Sequence, residues 1–88
     1  MAILIDPPSV AAHGRLWSHL ASDESYAELH EFARSAGVPE RGFDRDHYDV
    51  PDEFYQRMIE LGALPVTSRE LVVRLVTAGL RRRKPGSL

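Results

Sequence analysis

Ala2-Ile3-Leu4-Ile5-Asp6-Pro7-Pro8 is the stretch on which the fold turns. An unbroken apolar run rich in β-branched residues reads as a short strand buried on both faces. Pro7 and Pro8 have no N–H to give to a ladder, so they force the chain out of the sheet just after Asp6. Asp6 then stands at the carboxyl end of a strand, where open α/β sheets hold their ligands. It equally suits an acceptor role in the turn that the prolines open.

Working outward, residues 9–15 read as a loop in which Gly14 permits an unusual backbone angle. Leu16-Trp17-Ser18-His19-Leu20 reads as a strand, with Leu16, Ser18 and Leu20 on one side and Trp17, His19 and Ala21 on the other; a short helix is the competing reading. The spacing predicts a helix over 24–36, capped by Asp23, with Leu29, Phe32, Ala33 and Ala36 inward and Gly37 as its stop. A second helix, 52–61, starts behind Pro51 and ends at Gly62. Residues 63–66 form a short strand, and Thr67-Ser68-Arg69-Glu70 has the form of a capping box opening a third helix over 68–78. The alternation of strands and helices predicts a compact single α/β domain over residues 1–80. Its small three-stranded, mostly parallel sheet (2–6, 16–20, 63–66) is packed by about three helices. Residues 81–88 read as a basic, flexible tail.

The chemistry concentrates in Arg41-Gly42-Phe43-Asp44-Arg45-Asp46-His47-Tyr48-Asp49-Val50-Pro51. If His47-Tyr48-Asp49 is extended, His47 and Asp49 share a face and Tyr48 points the other way. A neighbouring imidazole and carboxylate can chelate a divalent ion with further donors, or work as an oriented general base. Asp6, His19, His47 and Asp49 are the candidate metal ligands, for Mg²⁺, Mn²⁺ or Zn²⁺. His30, His47 and Asp49 are the candidate catalytic groups. Arg15 and Tyr48 are candidate substrate contacts, Arg15 for an oxyanion. The plainer alternatives are that Asp49 caps the following helix while His47 is solvated, that His19 is a hydrogen-bonded, half-buried core histidine, that His30 is a boundary residue bonding to a neighbouring loop, and that Arg15 is solvated.

Composition narrows the function classes. The 88 residues hold no cysteine, so disulfides, thiolate zinc sites and cysteine nucleophiles are excluded. Hydrophobic residues at 43% and charged residues at 27% describe a soluble globular chain. No apolar run approaches a membrane span and the N-terminus lacks a basic leader, so a cytoplasmic location without membrane contact is expected. The net charge of −2 argues against a dedicated DNA-coating protein. The run Arg81-Arg82-Arg83-Lys84 predicts only a weak, salt-sensitive contact with nucleic acid. So short a chain has a thin core, which favours self-association into a homo-oligomer.

The combination of Ile-Asp-Pro-Pro near the N-terminus, Gly14-Arg15, His19, Asp23, Leu29-His30 and His47-Tyr48-Asp49-Val-Pro resembles a small bacterial and phage family, domain-of-unknown-function family 4031. The resemblance runs to about residue 80. It implies no settled activity. Taken with the polar residues, the expected function is a small metal-dependent hydrolase acting on a phosphate-containing or nucleic-acid substrate. The alternative is a non-enzymatic binding or regulatory module for a small anion, a nucleotide or a protein partner.

Overall fold

In the computed structural model, which describes residues 2–81, Ile3–Ile5 forms strand β1. All three residues are buried, as the apolar run requires. Its neighbour β3, Arg15–Ser22, is antiparallel to it, with Leu4 opposite Ala21 and Ile5 opposite Leu20. Between them lies a strand absent from the sequence reading, β2 (Val10–Ala12), which also pairs antiparallel with β3. The prolines interrupt the strand without ending the pairing. Asp6 N–H donates to His19 O on one side of them and Ser9 N–H to Trp17 O on the other. The turn is His13-Gly14, both at positive φ (51° and 75°), the pattern of a two-residue type I′ hairpin.

Helix α1 (Tyr26–Ala36) follows, then a 3₁₀ turn at Glu40–Gly42, β4 (Phe43–Asp44) and β5 (His47–Pro51). A second 3₁₀ turn at Asp52–Phe54 leads into α2 (Tyr55–Glu60), then β6 (Leu64–Pro65) and α3 (Ser68–Thr77). The sheet runs β4-β5-β3-β1-β6, with β2 also on β3. Among the described residues it is a six-stranded mixed sheet, not three mostly parallel strands, and only β1 and β6 pair in parallel. A parallel pair needs a crossover of about a dozen residues or more, usually a helix. The segment from Asp6 to Gly14 carries no helix, so the chain returns antiparallel.

Other local expectations shift for similar reasons. Ser25, not Asp23, caps α1, accepting from Glu28 N–H. Asp23 Oδ1 instead takes the Ala2 amide at 2.7 Å. Pro51 closes β5 rather than opening a helix. Phe54 and Leu61, apolar residues within the span 52–61, are both exposed, and Met58 is the buried residue of α2. Thr67 caps α3 by accepting from Glu70 N–H at 3.0 Å, but the Glu70 carboxylate turns to Arg74 at 3.1 Å. On α3 only Leu71 and Leu75 are buried; Val72 is not.

Two apolar layers sandwich the sheet. Ile3, Ile5, Leu20, Tyr48 and Val50 pack against Leu29 and Ala33 of α1 and Met58 of α2. Leu4 and Ala21 on the other face pack against Leu71 and Leu75 of α3. Strand alternation thereby sorts every polar side chain of β3 and β5 onto one face or the other. No helix among the described residues is long and apolar enough to cross a membrane.

Candidate metal centre

Strands β3 and β5 build the site between them. Alternation puts Trp17 and His19 on the face that carries α3, and puts His47 and Asp49 there as well. His19 stands directly opposite Asp49 in the register. One ligand atom from each of His19, His47 and Asp49 lies within 4.8 Å of the others. His47 Nε2 is 3.2 Å from Asp49 Oδ1, and the two imidazole rings meet edge-on at 4.8 Å between centroids.

Each imidazole is held from behind by a buried carboxylate. Asp6 Oδ2 is 2.8 Å from His19 Nδ1. The same carboxylate accepts the His19 backbone N–H at 2.6 Å and the Ser68 hydroxyl at 2.8 Å. Asp6 is 1% exposed. Burial pushes its carboxyl up, but the His19 ring, the His19 amide and the Ser68 hydroxyl together bring it below its usual value. The bond from Asp6 in turn raises His19, burial opposes it, and the Asp6 and Asp49 charges add to the rise. An ionised Asp6 can only accept, so in the neutral ring, the form that binds a metal, Nδ1 carries the proton and the Nε2 lone pair is left for a ligand.

The second dyad repeats this arrangement. Asp46 Oδ1 lies 2.8 Å from His47 Nδ1. Arg81 clamps the same carboxylate through Nε at 2.7 Å and Nη2 at 2.9 Å. That guanidinium, against the cost of burial and with help from His47, holds Asp46 down at about 2. Asp46 is thus ionised and acceptor-only, and His47 also presents Nε2.

The candidates from the sequence divide between the two faces. His19, His47 and Asp49 come together. Asp6 meets the far nitrogen of His19, behind the donor cluster rather than in it. Arg15 shares the face of His19 but is paired with Glu53 at 2.7 Å. His30 and Tyr48 lie on the opposite face: His30 Nδ1 and Tyr48 Oη are 2.6 Å apart, with Phe43 packed against both. Tyr48 is 2% exposed, and burial raises its phenol.

Three members of the site were not singled out from the sequence: Asp46, Ser68 and Arg81. Asp46 sits in the β4–β5 turn, where Arg45 adopts φ 59° and strand alternation no longer tells which way a side chain faces. Its only signal was adjacency to His47. Ser68 read as part of a capping box, and Arg81 as the first charge of a tail. Residues 82–88, where the rest of that basic run falls, lie outside the described residues.

Residues 3–78 match the family model described as protein of unknown function DUF4031. The chain belongs to the DUF4031 family. Within this DUF4031 chain the matched span takes in both histidines of the centre, Asp49, Asp6, Asp46 and Ser68, and stops short of Arg81. No curated protein and no solved structure matches the chain.

Proposed function

We propose that this protein is a small metal-dependent hydrolase, with His19, His47 and Asp49 holding a divalent ion and a phosphate-containing or nucleic-acid compound as substrate. The observation that carries the reading is the pair of dyads behind the donors. Histidines that ligate a metal almost always give their other nitrogen to a carboxylate or carbonyl, which fixes the tautomer and raises ligand basicity. Here both do so, to Asp6 and to Asp46; His47 turns Nε2 to Asp49 at 3.2 Å, and a ring nitrogen of His19 lies within 4.8 Å of the donor atoms of His47 and Asp49.

Two imidazoles and one carboxylate leave coordination positions for water and substrate. Nitrogen donors favour Zn²⁺ or Mn²⁺ over Mg²⁺, which prefers oxygen and retains its waters. A bound divalent ion would supply an acidified water and neutralise charge developing on a phosphoryl oxygen. The protein's own part is orientation. Asp6 and Ser68 hold His19, Asp46 and Arg81 hold His47, and Asp49 adds the negative charge that two neutral imidazoles lack.

The test is thermal unfolding of metal-stripped protein with and without Zn²⁺, Mn²⁺ or Mg²⁺. An ion present at about 100 times its dissociation constant adds roughly 2.7 kcal/mol, several degrees in Tm for a chain this small. We expect that shift with Zn²⁺ or Mn²⁺, its loss in the His47→Ala/Asp49→Ala double variant, and hydrolysis of p-nitrophenyl phosphate or its diester by the loaded protein. No shift with any of the three ions sinks the metal reading. A shift without hydrolysis of either ester leaves a metal-dependent binding module.

A further inference from the structure

A cleft of about 620 Å³ opens beside the donor cluster, and Asp49 belongs to both. That volume lies within the range of small-molecule sites. Its walls bring together two kinds of group. Trp17 and Phe54 supply aromatic surface, and Arg15, Arg41 and Arg57 supply cationic charge.

The aromatic wall is already positioned. Trp17 donates its indole N–H to Ala12 O at 2.9 Å, which fixes the ring plane. The Arg15 guanidinium lies 6.0 Å from the ring centroid. Phe54, 45% exposed, lines the same cleft and leaves its ring open to a ligand there. Trp17 and His19 are alternate residues on one face of β3, about 7 Å apart along the strand. His19 faces Asp49 in the register, so the two cleft residues Trp17 and Asp49 are offset by that same distance along the strands, roughly the span of one nucleotide.

Two of the three arginines of the cationic wall are uncommitted. Arg15 is paired with Glu53, but among the described residues neither Arg41 nor Arg57 has a carboxylate partner. Two free guanidiniums on the wall of a pocket are suited to bidentate contacts with phosphate oxygens.

We infer that this cleft takes a nucleoside monophosphate, its base on Trp17 and Phe54 and its phosphate on Arg41 and Arg57. The assignment rests on the metal reading above only for the direction of the phosphate, towards Asp49. A free nucleotide is favoured over the end of a nucleic acid because the cleft holds about one nucleotide and the chain is net acidic, at −2.

The chain's single tryptophan is a reporter inside the cleft. Full-length protein is titrated with AMP, adenosine, inorganic phosphate and a 5′-phosphorylated oligonucleotide, following Trp17 emission. Mn²⁺ binding is read separately by the resonance signal of the free ion. We expect saturable quenching by AMP, at least tenfold weaker binding of adenosine and of phosphate, and a tenfold or greater loss of AMP affinity in Arg41→Ala/Arg57→Ala. Mn²⁺ affinity and circular dichroism should be unchanged in that variant, since both arginines are exposed. The Phe54→Ala variant should weaken AMP but not phosphate. Absence of quenching by AMP in protein that binds Mn²⁺ overturns the inference and leaves the metal centre standing. Quenching by AMP in protein that does not bind Mn²⁺ supports the cleft and removes the metal centre. An oligonucleotide binding tenfold tighter than AMP overturns the assignment in favour of a nucleic-acid end.

Discussion

Arg81 and Asp46 meet through two N–H···O bonds, and Asp46 is 8% exposed. Folding therefore depends on the charge of that carboxylate. Its folded value is held at about 2, below the 3.8 of an unperturbed aspartate. A depressed carboxyl contributes stability that is fully present above the unfolded value and is lost as pH falls through the folded one. Urea midpoints measured from pH 5 down to about pH 2 should record a loss of about 2 kcal/mol from this group alone. In Arg81→Ala the protein should start about 3 kcal/mol less stable at neutral pH, because the carboxylate is left buried without its cation. Much of the acid-dependent loss should then disappear. An unchanged acid profile in that variant would mean that Arg81 does not hold Asp46.

Helix α1 shows how a capping assignment turns on three-dimensional neighbours. Asp23 and Ser25 are both good N-cap residues by type. Asp23 is drawn away to the Ala2 amide and to Arg74, at 2.7 and 3.3 Å, which tie it to the β1 end and to α3. Ser25 is left to accept from the Glu28 N–H at 3.0 Å. The Ser25→Ala variant should thus cost about 1 kcal/mol, read as a lowered Tm with helix α1 fraying first in hydrogen exchange. At the other end the sequence reading holds: Gly37 sits at φ 80° and its N–H returns to Ala33 O and Arg34 O, the positive-φ stop that glycine provides. Elements with long helical periodicity were legible for this reason. The short strands β2 and β4 were not, because two or three residues carry no period.

Across the whole molecule, the sheet is a partition. His19 and His47 share the α3 face, while His30, on α1, meets Tyr48 on the opposite face. The His30→Ala variant is expected to leave metal-induced stabilisation unchanged, whereas His19→Ala should abolish it, both measured by thermal unfolding with saturating Zn²⁺. Loss of the metal effect in His30→Ala would mean that the two faces are coupled through the strands.

The sequence by itself determined the α/β class, the buried first strand, all three helices and the pairing of His47 with Asp49 on one side of an extended segment. These follow from local periodicity and from turn chemistry, which act within a few residues. Only the tertiary structure decided that the sheet is mixed, because strand direction depends on where a returning chain finds its partner. It also decided which histidines converge. His19 reaches Asp49 through strand register across the sheet, and Arg81 reaches Asp46 from beyond the last helix. Contacts between residues so far apart in the chain leave no trace in a single sequence, since either partner alone reads as an ordinary surface charge.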